Sequence, residues 1–87
     1  MKAIITERFD KKEAKLKNRI LSYQIADLIE NLYDIDDIQM IPSVKRLKGA
    51  KAYRIRLGDY RLGITIEDNT VVFHSIGKRD KFYDSFP

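Results

Sequence analysis

Hydrophobic positions change their period along this chain, and each change marks an element. Ala3-Ile4-Ile5-Thr6 is a short apolar run that predicts an opening strand. Thr6 or Asp10 then offers a side-chain oxygen to the free N–H groups that begin a helix. Ile20, Leu21, Ile25, Leu28, Ile29 and Leu32 recur every three or four residues, which predicts a helix with one apolar face turned to the core. Phe9 and Leu16 extend that stripe upstream, through a stretch dense in charge (Lys11, Lys12, Glu13, Lys15, Lys17, Arg19). The spacing fits one long helix or two helices broken near Lys17-Asn18. A single helix reaching Leu32 would be about 35 Å long, so a helical hairpin suits a small domain better.

Tyr33 to Ser43 reads as a connector, acidic at Asp34, Asp36 and Asp37 and stopped by Pro42, and Gly49 marks a bend beyond it. The period then drops to two. Tyr53-Arg54-Ile55-Arg56-Leu57 alternates strictly, as does Tyr60-Arg61-Leu62-Gly63-Ile64-Thr65-Ile66-Glu67, and such alternation predicts half-buried strands. Gly58-Asp59 between them is a two-residue hairpin signal, and Asp68-Asn69 supplies the next turn. Val71 to Ile76 forms a third strand, ended by Gly77, with apolar residues on both faces as in a central strand covered on both sides. The plan is α+β, β-α-α-β-β-β: a helical hairpin packed on a small antiparallel sheet, in a single domain over residues 1–87.

Composition narrows the possibilities. The chain is 44% hydrophobic and 34% charged, neither membrane-spanning nor disordered in character. No stretch approaches the ~20 apolar residues of a membrane helix, and residues 1–6 are too short an apolar run for a secretory signal. The absence of cysteine excludes disulfides, thiolate zinc sites and a cysteine nucleophile. A cytoplasmic protein without cofactor or metal is the expectation.

The net charge of +4 is unevenly placed. Met1–Ser43 carries seven basic and eight acidic residues, whereas Val44–Pro87 carries ten and five. Within Lys45–Arg61, seven cations (Lys45, Arg46, Lys48, Lys51, Arg54, Arg56, Arg61) face only Asp59. Such a block serves either as a solubilising surface or as an anion-binding face, with nucleic acid the leading partner. Strand parity separates the two. If Tyr53, Ile55 and Leu57 point to the core, Arg54 and Arg56 share the other face, and Arg61 joins them from the second strand. A two-residue hairpin sets Arg56 directly opposite Arg61, where like charges cost up to about 1 kcal/mol. Only Glu67 stands as a counter-charge on the same alternation. A purely structural sheet has no use for that repulsion, so a site for phosphate is expected here.

Lys48-Gly49, the string Tyr53 to Leu62, and Ile76-Gly77-Lys78-Arg79 ahead of Tyr83 together resemble the RelE/ParE superfamily of toxin–antitoxin modules. The second half of the chain carries the likeness; the helical half matches in layout only. The resemblance implies a RelE-like, microbial-ribonuclease fold and a toxin neutralised by a cognate antitoxin. In the RelE branch it further implies metal-independent cleavage of mRNA in the ribosomal A site. By the same resemblance Arg54, Arg56 and Arg61 hold the scissile phosphate, Arg79 stabilises the transition-state charge, and Tyr83 orients or stacks on a base. Lys48, Lys51, Lys78 and Lys81 would add phosphate contacts. Two other readings share the fold: a ParE-like inhibitor of DNA gyrase with no chemistry of its own, and a catalytically decayed member that acts with its antitoxin on operator DNA.

One departure from RelE matters chemically. RelE carries lysines where this chain has Arg54 and Arg56. A crowded lysine can be driven towards neutrality and act as a base, whereas arginine stays charged and can only clamp. Lys51, Glu67 or the ribosome is then left to take the proton of the attacking 2′-hydroxyl. His74, the one histidine, is a further candidate acid or base, although a lone strand histidine is usually structural.

Overall fold

A single hydroxyl joins the first strand to the first helix. Thr6 Oγ1 donates to the Phe73 carbonyl at 2.7 Å and accepts from the Phe9 N–H at 3.3 Å, tying β1 (Lys2–Ile5) to its neighbour and capping α1 (Glu7–Leu16). This is seen in a computed structural model, which describes residues 1–48 and 51–87; Gly49, the expected bend, lies outside the described residues. Lys17 turns left-handed (φ 48°) and Asn18 caps α2 (Arg19–Leu32) through the Leu21 N–H. Residues 7–33 are therefore two helices. Among the described residues no helix is long and apolar enough to cross a membrane.

A short 3-10 turn at Ile38–Met40 leads into β2 (Val44–Arg46), β3 (Ala52–Leu57), β4 (Tyr60–Glu67) and β5 (Thr70–Lys78). The strand order is β1-β5-β4-β3-β2. The sheet has five strands and is mixed, because β1 runs parallel to β5 while the other pairs are antiparallel. The helical hairpin and connector carry the chain from one sheet edge to the other, which leaves β1 beside the last strand. The Met1 ammonium anchors that edge, donating to the Leu32 and Ile35 carbonyls at 2.6 Å each. β2 is hidden in the sequence because three residues are too few to show a period.

The core lies between the helices and one sheet face. Leu21, Ile25, Leu28 and Leu32 from α2, with Phe9 from α1, cover Ile55, Leu62, Ile64, Val71, Phe73 and Ile76. Phe9 meets Phe73 edge-on at 5.5 Å between ring centres. Burying each of these rings contributes about 2–3 kcal/mol. Ile20 leaves the predicted stripe and is 74% exposed. Leu21, Ile25, Leu28 and Leu32 define the buried line, and Ile20 sits about 100° away around the helix, since each residue turns by that angle.

The third meander strand is also not a plain central strand. Gly63 pairs with Ser75 but Ile64 pairs with Phe73, so His74 is an extra residue in β5, a bulge. Val71, Phe73 and Ile76 can then all face the helices despite their spacing of two and three. Ser75 and Gly77 turn to the other face, opposite Gly63 and Arg61. That face is partly roofed by the C-terminal tail. Phe82 and Phe86 pack on Ala52 with Leu47 beside them, in a small second core.

Candidate functional site

The hairpin that builds the arginine face turns at Gly58, whose φ of 57° lies in the left-handed region open to glycine. Leu57 pairs with Tyr60 and Arg56 with Arg61, so the two cations stand directly across the ladder as the alternation requires. Arg54 pairs with Gly63 on one side and with Lys45 of β2 on the other. Residues directly across a ladder share a face, so Lys45, Arg54, Arg56 and Arg61 form one basic surface. Lys45 is a fourth cation that strand parity does not place from the sequence, because β2 is too short to show alternation.

Arg61 is the centre of this surface and is only 7% exposed. Its Nη1 donates to the carbonyls of Gly58 (2.9 Å) and Tyr60 (3.0 Å), which folds the guanidinium back over the turn. These two bonds hold one edge of the fork and leave the other donors for an outside acceptor. Burial lowers the Arg61 pKa, Arg54 and Arg56 lower it further, Tyr83 opposes them, and Arg79 adds to the lowering. Of the residues assigned by resemblance, Arg54, Arg56, Arg79 and Tyr83 thus each act on the charge of Arg61. Arg54 donates from Nη1 to the Ser43 carbonyl at 3.0 Å, and its Nε is buried with no partner. A buried donor left unpaired costs about 1–3 kcal/mol.

Two contacts seat the remaining pair. The Arg79 N–H donates to the Asp59 carbonyl at 2.9 Å, pinning the segment after β5 to the hairpin tip. Tyr83 stands edge-on to Phe82 at 5.0 Å and is 52% exposed, so its ring is free for an outside group while its neighbour is buried.

Other assigned residues fall elsewhere. Glu67 pairs with Thr70 at the opposite end of the sheet, six residues along β4 from Arg61, or about 20 Å. It can neither neutralise the arginines nor take a proton there. His74 lies three residues along β5 from Gly77, the partner of Arg61, so about 10 Å separates it from the cluster. Its Nε2 meets Thr65 Oγ1 at 2.6 Å and its ring stacks on Phe86 at 6.4 Å. Lys78 pairs with Tyr60 and therefore lies on the helix side of the sheet, at its open end. Lys51 immediately precedes β3, Lys48 lies beyond β2 and Lys81 caps the last 3-10 turn; all three are exposed at the rim. Among the described residues no three His, Asp or Glu side chains converge as metal ligands.

The Arg56–Arg61 opposition has a measurable consequence. Arg56→Gln removes one of two like charges facing each other and keeps a long, polar side chain. Urea unfolding is expected to show a gain of a few tenths to about 1 kcal/mol, while affinity for polyanions falls.

No protein-family model matches the chain. It is 34% identical over 64 residues to Toxin RelE3 of Methanocaldococcus jannaschii, a match covering 72% of this chain and 70% of that one. The fold superposes on the toxin–antitoxin complex RelB-RelE from Methanococcus jannaschii with a TM-score of 0.79 and 28% identity, over 97% of this chain and 99% of that chain. The E. coli RelBE complex gives a TM-score of 0.64 and 27% identity over 88% of this chain and 94% of that chain. The RelBE2 complex of Mycobacterium tuberculosis gives 0.63 and 26%, over 90% and 96%. A relative above 30% identity that is matched over most of its length, together with the basic sheet face and two-helix layer, makes this chain a member of the RelE toxin family.

Proposed function

We propose that this toxin arrests growth by cutting mRNA in the ribosomal A site, and that a cognate antitoxin holds it silent. The observation that carries the reading is the sheet face on which Arg54 and Arg56 stand with a buried Arg61, with the Arg79 backbone pinned to the tip of the same hairpin. Cleavage proceeds by attack of a ribose 2′-oxygen on the adjacent phosphorus. The bond to the next nucleotide's 5′-oxygen breaks and a 2′,3′-cyclic phosphate remains. One proton must leave the 2′-hydroxyl and one must reach the departing oxygen. Arginines fixed before the reaction stabilise the extra negative charge on the phosphate without reorganising, which is where most of the rate gain of such a site arises.

None of the four arginines takes a proton at neutral pH. With Glu67 at the far end of the sheet, His74 under Phe86 and Lys51 exposed ahead of β3, five residues from the ladder partner of Arg61, none of the three candidate bases from the sequence stands beside Arg61. The ribosome supplies the missing group and the geometry, which makes cleavage ribosome-dependent. The site of action is then the cytoplasm. The antitoxin's apolar side chains have a seat in the groove of about 330 Å³ between α2 and β3, lined by Leu28, Ile35, Ile41 and Leu57 with exposed Met40 at its rim. The similar proteins of known structure are toxin–antitoxin complexes, and such a complex is also the form expected on operator DNA.

The test is induction in a bacterial host, with mRNA ends mapped and plasmid supercoiling assayed in parallel. Codon-phased cuts with normal supercoiling are expected, and the purified toxin should leave free mRNA intact while cutting it on ribosomes. Intact mRNA with impaired supercoiling would mean a gyrase inhibitor instead.

A further inference from the structure

We propose that the cleft between α1 and β5 is a second phosphate-binding site, which holds flanking nucleotides of the strand gripped by the arginine face. The proposal rests on the reading of that ligand as RNA. The cleft, of about 560 Å³, is walled by Arg8, Lys11, Lys12 and Lys15 on one side and by His74, Ser75 and Ser85 on the other. The four cations occur at intervals of three, four and seven residues, so they form one stripe along α1. Like charges at these spacings destabilise a helix. Glu7, the one carboxylate residue lining the cleft, pairs with Lys11 at 2.8 Å, and no other salt bridge forms among the described residues. Arg8, Lys12 and Lys15 therefore repel one another along one wall of an open cleft, which is a cost that a bound polyanion reverses.

The cleft adjoins the arginine face through the tail. Phe86 lies over Gly63, the ladder partner of Arg54, and stacks on His74, which lines the cleft. Ser85, the residue before Phe86, forms part of the cleft wall. A strand leaving Arg54 and Arg61 crosses this tail and meets the α1 cations within a few nucleotides. The chemistry of the lining favours a sugar-phosphate backbone over an acidic protein segment. Ile76 is the one apolar side chain in it, whereas a peptide would need the apolar groove found between α2 and β3. Hydroxyls from Ser75 and Ser85 and the ring of His74 add donors suited to phosphate and ribose oxygens.

The experiment compares two fluorescent 2′-O-methyl oligoribonucleotides, of four and twelve nucleotides, by anisotropy over a range of potassium chloride. The cleft variant is Arg8→Gln/Lys12→Gln/Lys15→Gln and the control is Arg54→Gln/Arg56→Gln, both in the full chain. For the cleft variant, affinity for the twelve-mer should fall at least about tenfold and its log–log salt slope by about 2, at ~0.7 for each phosphate no longer neutralised. Affinity for the four-mer should stay unchanged, and the melting temperature should hold or rise as the repulsion is removed. An unchanged twelve-mer affinity, or equal loss for both lengths, overturns the second site. So does selective loss of binding to poly-L-glutamate with RNA binding intact. If the control variant also binds both RNAs like the parent, RNA itself is the wrong ligand, and the two failures are told apart.

Discussion

Arg61→Ala is expected to abolish growth arrest and to lower single-turnover cleavage of ribosome-bound mRNA by about 10²–10³-fold, the loss typical of removing one fixed donor to a developing oxyanion. The same substitution should leave the fold as stable as before, or more so. Arg61 is buried beside two other arginines, and its lowered pKa says that the folded protein disfavours its charge. The two hydrogen bonds to the Gly58 and Tyr60 carbonyls are lost, but both belong to a turn open to water at Gly58 and Asp59. Activity should therefore disappear while the urea midpoint holds, which separates a chemical defect from a folding one. Arg61→Lys sharpens the test. An ammonium keeps the charge and loses the planar fork that serves the turn and the phosphate at once, so partial activity is expected. Because the guanidinium stays protonated throughout the range in which the protein is folded, Arg61 contributes no step to the pH–rate profile. A variant that still cuts at the parental rate would remove Arg61 from the transition state.

The arginine face is legible in the sequence because one short string fixes it. Strict alternation from Tyr53 to Leu57 and from Tyr60 to Glu67, joined by Gly58-Asp59, determines turn, register and facing residues together, and Arg56 does stand opposite Arg61. The helix break is readable in Lys17-Asn18 for the same local reason, a left-handed residue followed by a capping side chain. What alternation along one strand cannot report is what lands on the strand from elsewhere. β1 pairs parallel to β5 across most of the sequence, and β2 is three residues long. The bulge at His74 does leave a trace, since Val71, Phe73 and Ile76 are spaced by two and then three. That trace is equally compatible with a strand covered on both faces, which is how it reads in isolation. Glu67 illustrates the converse error: parity puts it on the arginine face, but length along β4 puts it at the other end.

The tail gives the second large effect, through a glycine that carries no chemistry. At Gly63 a Cβ would stand 2.7–2.8 Å from three atoms of the Phe86 ring, closer than real side chains approach. Two opposing terms decide the outcome of Gly63→Ala. Glycine in a strand interior is unfavourable by roughly 0.5–1 kcal/mol relative to alanine, so the substitution alone should stabilise. The clash must displace the ring, and overpacking of this kind costs typically 1–3 kcal/mol. Because Phe86 lies beyond β5 in the tail and belongs to no strand, the tail can peel away rather than strain the sheet. The loss is then capped near what burial of Phe86 contributes, about 1.5–3 kcal/mol. A net destabilisation of about 1–2 kcal/mol is expected in urea unfolding. In a Phe86→Ala background the same change should be neutral or stabilising, and that reversal of sign identifies the ring as the cause. Detachment also loosens Tyr83, whose neighbour Phe82 is seated with Phe86 on Ala52. Cleavage on ribosomes should fall about tenfold or more in Gly63→Ala although no residue of the arginine cluster is altered, since misplacing a group that contacts substrate by about 1 Å is enough to cost ~10²-fold. If Gly63→Ala instead stabilises the protein and leaves cleavage unchanged, the tail is not the element that positions Tyr83, and the site reduces to the four arginines.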